Sequence, residues 1–285
     1  QTKESIRYNA PLQFSAQDRA VTTADYESLV QSIYPNAQSV SAWGGEDDET
    51  PLYGVVKIAI KAASGSTLTN TTKTDIVTQL QKYNVASVRP EIVDPEITKI
   101  LLTSNIKFDE KTTTKTATTL KSDVTTTITN YSTNTLSQFD GVFRFSKLSS
   151  LIDATDNSIL SNITTLKIRK DFTPTLASST KYNVYFRNAL YNPHSGHNSS
   201  AGGILESSGF KISGDSSTVF YLDDDGQGNV RRYSFSGATR VYANNTQGTI
   251  DYDTGAITIN SLSVLSVENI RGAASTKIEL TVKPD

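Results

Sequence analysis

The chain has 285 residues, 27 of them basic and 29 acidic, for a formal net charge of -2, and it contains no cysteine. That balance offers no basic footprint for nucleic acid, and the missing thiols exclude disulfide staples, thiolate metal sites and cysteine nucleophiles. Hydrophobic residues at 36% suffice for a core, the length predicts about two domains, and no apolar run reaches the roughly 18 residues that span a bilayer.

No export signal is visible either. The sequence begins at Gln1 and has no methionine, which predicts a fragment or a processed product.

The segment Gln17 to Glu27 reads as a helix start, with Thr22 capping the amide of Asp25 and Val21 and Tyr26 at staple positions. Tyr26, Leu29, Val30 and Ile33 then form one apolar stripe, which Pro35 ends. Ser39 to Trp43 predicts a short strand with Trp43 partly in the core, and Gly44 to Glu49 an exposed acidic loop. Val56, Ile58 and Ile60 share one face of a second strand, with Lys57 and Lys61 on the other. Ile76, Leu80 and Tyr83 recur at helical spacing behind a start at Thr72 to Asp75, and Ile100, Leu102, Ile106 and Phe108 predict a strand lying beside the earlier one.

From Thr112 to Leu136 threonine propensity argues against helix, but Leu120, Val124, Ile128 and Tyr131 keep a helical period, and the period predicts a helix. These elements predict an α+β fold, a small antiparallel or mixed sheet with helices on one face, over residues 1–177. Residues 178–285 predict a mostly β domain. Its hairpins are Thr218 to Leu222 with Val230 to Phe235, and Gly248 to Tyr252 with Ala256 to Asn260; Lys277 to Val282 is the last strand.

Three groups invite chemistry. Asp223-Asp224-Asp225-Gly226 suggests a calcium loop, but aligning Gly226 with the loop glycine puts Tyr221 at the first ligand position and Arg232 where a glutamate belongs, so a solvated hairpin turn is expected. Glu46 to Glu49 reads as a solvated loop. His194 and His197 have a spacing that suits one metal, yet no third ligand and no Gly-x-Ser-x-Gly elbow is visible, which leaves a polar surface loop. The expectation is no catalytic residue, no cofactor and no metal. Tyr182, Tyr185, Tyr191, Tyr221, Tyr233, Tyr242 and Tyr252 keep a carbohydrate- or receptor-binding module open. A peptidoglycan hydrolase is the enzyme alternative, without a visible acid, base and metal constellation.

Arg19-Ala20-Val21-Thr22-Thr23-Ala24-Asp25-Tyr26-Glu27, then Ser39 to Trp43, Gly45, Glu46, Pro51 and Tyr53 to Ile58, resembles the baseplate J-like family of contractile tails. Arg144-Phe145-Ser146-Lys147-Leu148, with Ile152 and Leu166, looks like that family's closing segment, so the resemblance covers about residues 5 to 170. Length and the appended β region point to the C-terminal portion of a phage baseplate wedge subunit. The resemblance implies a virion protein of the tail baseplate, assembled in the host cytoplasm. Its copies would associate with one another and with other wedge proteins in a ring around the hub. It marks Arg19, Thr22, Asp25, Tyr26, Arg144 and Lys147 as structural and carries no catalytic residue. A homodimer is expected, with residues beyond about 178 supplying contact and Val264, Leu265 and Val267 as either a core strand or an association edge.

Overall fold

The computed structural model describes residues 19–48, 51–65, 67–197 and 203–285, together with Lys3, Arg7, Ala10, Pro11 and Phe14. The fold is α+β, as the sequence predicts. Its two compact units are not consecutive along the chain: one comprises Gln1–Glu96 and Ile106–Asn162, the other Ile97–Asn105 and Ile163–Asp285. Residues 163–177, which the sequence grouped with the α+β region, therefore lie in the second unit.

In the first unit, helix α1 (Thr23–Ile33) starts on a capping box. The Asp25 amide donates to Thr22 Oγ1 at 3.3 Å, and Asp25 Oδ2 accepts from the Thr22 amide at 2.8 Å. The expected staple does not form, because Val21 stays 68% exposed. Strand β1 (Ala37–Gly44) is antiparallel to β2 (Val55–Ala62), and β2 is parallel to β3 (Arg89–Val93). Helix α2 (Asn70–Leu80) begins one turn earlier than expected, since Thr69 rather than Thr72 is its cap. Tyr26, Leu29 and Val30 from α1, and Ile76 and Leu80 from α2, bury against Ile58 and Ile60 of β2. Each fully buried side chain of this kind contributes about 1.5–3 kcal/mol.

One sequence expectation fails here and another holds in part. Strand β3, with its proline, was not foreseen, and it takes the place assigned to β4 (Lys99–Phe108), which belongs to another sheet. The acidic stretch after β1 is a short 3-10 turn, Gly45–Asp47, with Glu46 and Asp47 exposed as expected, but Asp48, which follows it, pairs with Lys57 and accepts from Trp43 Nε1; Glu49 lies outside the described residues. Trp43 is half-buried.

The threonine-rich segment is helix α3 (Ala117–Tyr131), prolonged by a π turn at Ser132–Leu136. Thr125, Thr126, Thr129 and Thr133 each donate to the carbonyl four residues back, at 2.8–3.0 Å. Their hydroxyls are thus satisfied within the helix, while Leu120, Val124 and Tyr131 face helix α4 (Phe145–Asp153), which buries Leu148 and Ile152.

The second unit is almost wholly β. Seven strands run in the order β13 (Val264–Val267), β8 (Phe210–Ile212), β9 (Asp215–Asp224), β10 (Asn229–Ser236), β11 (Thr239–Asp251), β12 (Ala256–Leu262) and β6 (Thr180–Tyr185). A second sheet orders β4, β5 (Ile159–Phe172), β14 (Ile278–Val282) and β7 (Glu206–Ser207). Phe210, Leu222, Val230, Ile257, Ile259 and Val264 of the first sheet share one core with Ile168, Ile278, Leu280 and Val282 of the other. The period-2 alternation along β14 sends all three of its apolar residues inward.

Candidate assembly surface and the ion cluster behind it

Alternation along β9 and β10 sends Phe220, Leu222 and Val230 into the core, so Tyr221, Asp223, Arg231, Tyr233 and Phe235 occupy the opposite face. The register sets Arg231 beside Asp223 and Tyr233 between Tyr221 and Tyr242. The Asp223 carboxylate is 1% exposed. It accepts from Arg231 Nε at 3.0 Å, Arg240 Nη1 at 2.7 Å and the Tyr242 hydroxyl at 3.0 Å. Arg231 lies 4.2 Å from the Tyr242 ring centre and Arg240 4.7 Å from that of Tyr233. Burial, with the Asp223 hydrogen bond, pushes the Tyr242 phenol above its ordinary pKa. Tyr221, Tyr233 and Phe235 pack ring to ring at 5.3–5.7 Å, and Phe235, half exposed, carries this aromatic layer to the surface.

Asp224 points the other way and is as deeply buried. It accepts from the Leu205 amide at 2.8 Å and the Tyr252 hydroxyl at 2.6 Å, so it ties the segment before β7 to the end of β11. Burial and that bond together raise the Tyr252 phenol far above its usual range. The expected solvated turn is therefore wrong at two of its three aspartates. Asp225 orders the turn, accepting from the Gln227 and Asn229 amides, and Asp224 adds a bond from the Gly226 amide. The missed signal was the alternation of arginine and aromatic residues on β10 and β11, which marks a polar face that must find its charge partner on β9.

The family-motif residues hold local structure. Thr22 and Asp25 cap α1, Tyr26 is buried with its hydroxyl 3.3 Å from Asn84 Oδ1, and Arg19 is exposed. Arg144 starts α4 and its amide donates to the Tyr131 hydroxyl, above whose ring Lys147 Nζ stands at 6.0 Å. On β13, Val264 is fully buried, Val267 packs against the core, and Leu265 is 38% exposed near the 56% exposed Leu176, whose backbone bridges to Val264. Leu265 is thus an exposed apolar side chain on the last strand of the seven-stranded sheet. His194 and His197 meet at 3.3 Å between ring nitrogens in a loop that is tied by the Gly196 amide to the Gly226 carbonyl. Among the described residues no three His, Asp or Glu side chains group as metal ligands. The seven tyrosines do not form one platform: Tyr221, Tyr233 and Tyr242 share a face, while Tyr252 is turned to Asp224.

Residues 22–93, which span α1 to β3, match a family model described as baseplate structural protein gp6, C-terminal domain I. Residues 98–171, from β4 to β5, match baseplate structural protein gp6, C-terminal domain III. From α1 to β5 the chain is gp6-like. Baseplate wedge protein gp6 of Enterobacteria phage T4 is 27% identical over 184 residues, 63% of this chain. The chain spans 27% of the length of that relative. The gp6 likeness supports the wedge-protein part of the sequence resemblance, whereas the baseplate J-like label rests on the quoted residues alone. The gp6 descriptions are of structural proteins and not of enzymes.

Proposed function

We propose that this chain is a structural piece of a phage tail baseplate wedge, which works by binding its own copies and neighbouring wedge proteins to build the ring around the hub. Its place is the baseplate of the virion, after assembly in the host cytoplasm. The observation that carries the reading is the pair of gp6 C-terminal matches, arranged in order along the chain and bounded by its own secondary-structure elements. The second unit adds two features suited to assembly: the exposed Leu265 on β13, the last strand of its sheet, and the aromatic layer ending at Phe235. Exposed sheet edges and aromatic anchors are where protein chains join.

In this reading the chain is a homodimer in solution, with residues beyond about 178 supplying the contact, and a stable pair buries at least about 1,000 Å² in total. Sedimentation velocity of the full chain at micromolar concentration tests it, with Leu265→Glu as the variant. Wild type is expected to sediment as a dimer and Leu265→Glu as a folded monomer whose stability is within about 0.5 kcal/mol of wild type. A monomeric wild type would end the self-association reading, and a dimer that survives both Leu265→Glu and Phe235→Glu would move the contact to the first unit.

A further inference from the structure

The second unit treats its arginines unequally. Arg231 and Arg240 share Asp223, Arg169 faces Asp171 and Glu279, and Arg271 faces Glu279. Among the described residues Arg232 has only neutral company. It lies on the core-facing side of β10, opposite Leu222, with its guanidinium 5.2 Å from the Phe220 ring centre. Nη1 donates to Gln247 Oε1 at 2.9 Å, while Nε is buried without a hydrogen-bond partner among the described residues.

The surroundings are built. Between Val230 opposite Gly248 and Arg232 opposite Asn244, one residue of β10 faces three of β11, a bulge that includes the buried Gln247. Gln247 is 4% exposed; it accepts from Asn244 Nδ2 and donates to the Asn260 carbonyl. Gly248 permits this, because a Cβ there would collide with the Thr258 carbonyl oxygen. An amide oxygen orients a guanidinium but leaves its charge uncompensated, and a half-buried cation with no counter-charge costs stability that only an anion recovers. Desolvation accordingly lowers the Arg232 pKa.

We propose that Arg232 is a docking point for a carboxylate carried by a partner chain, held at the guanidinium edge beside Gln247. The guanidinium fork matches a carboxylate in shape and charge, and among the described residues no acidic side chain pairs with it. This deepens the assembly reading and rests on it only for the source of the carboxylate.

The test uses the full chain and Arg232→Met. In an arginine-selective proton–nitrogen spectrum, the Arg232 Nε–H signal, assigned by its loss in Arg232→Met, is followed as sodium acetate replaces sodium chloride at constant ionic strength. A saturable shift is expected, while the Arg231 and Arg240 signals, already paired with Asp223, stay in place. In sedimentation Arg232→Met is expected to weaken self-association about tenfold or more without lowering Tm, because it removes an unpaired cation rather than a pair. If wild type is monomeric but acetate moves the signal, the carboxylate site stands and self-association falls. If acetate moves the signal and Arg232→Met associates normally, the carboxylate comes from a chain other than a second copy. No acetate response of the signal overturns the inference, as does a Tm lowered by several degrees in Arg232→Met with association unchanged, which would make Arg232 a packing residue.

Discussion

The two units solve the same burial problem with different chemistry. Among the described residues the first unit buries only two polar side chains, Ser28 and Ser158, whereas the second buries Arg169, Asp223, Asp224, Arg231 and Gln247. Apolar burial is non-directional and tolerates repacking, so the first unit depends on volume and on local caps. Buried charge depends on partners from other strands, so the second unit depends on register. A substitution of equal size should therefore fail locally in the first unit and cooperatively in the second.

The sharpest way to break this contrast is Asp223→Ala, which leaves Arg231 and Arg240 without their shared carboxylate. A loss of about 3–5 kcal/mol is expected in denaturant unfolding. A cost below about 1 kcal/mol would show that the cluster is no more than surface pairing. Leu29→Ala, beside the fully buried Val30 and Ile58, should cost about 2–5 kcal/mol through lost transfer energy and a cavity. If it costs nothing while self-association disappears, the α1 stripe is an interface and the first unit is not the apolar core described above. Thr22→Ala removes one half of the α1 capping box and should cost about 1 kcal/mol. Glycine at the same position should cost only a few tenths, and equal losses for the two would mean that the cap bond is not what matters.

The smallest effect belongs to a carboxylate that only orders a turn. Asp215 accepts from the Ser217 and Thr218 amides and the Ser217 hydroxyl, and its pKa is held down at about 2 by Thr218 first and Ser217 next. A depressed carboxylate stabilises the fold above its unfolded pKa of roughly 3.9, and the contribution disappears as pH falls through about 2. Melting curves of wild type and Asp215→Asn should therefore differ slightly at pH 5 and converge near pH 2. A difference that grows on acidification would have the wrong sign.

Sequence alone determined the local features. Thr22, Asp25 and the stripe Tyr26, Leu29, Val30 define α1 because capping and 3.6-residue periodicity act within a few residues. The helical period of Leu120, Val124 and Tyr131 prevailed over threonine propensity because the hydroxyls found carbonyl partners one turn back. The hairpins of β9 with β10 and β11 with β12 were legible from turn glycines flanked by β-branched runs. Tertiary structure alone decided where β3 and β4 pair, since strand partners are chosen by sheet position and not by composition. It also decided that Val264 is core while Leu265 faces out, and that Asp223 and Asp224 are buried on opposite faces rather than solvated in a turn. A run of three aspartates reads as solvent until the partners are placed, because the arginines and tyrosines that neutralise it reach it from β10 and from both ends of β11, a juxtaposition that only the folded sheet creates.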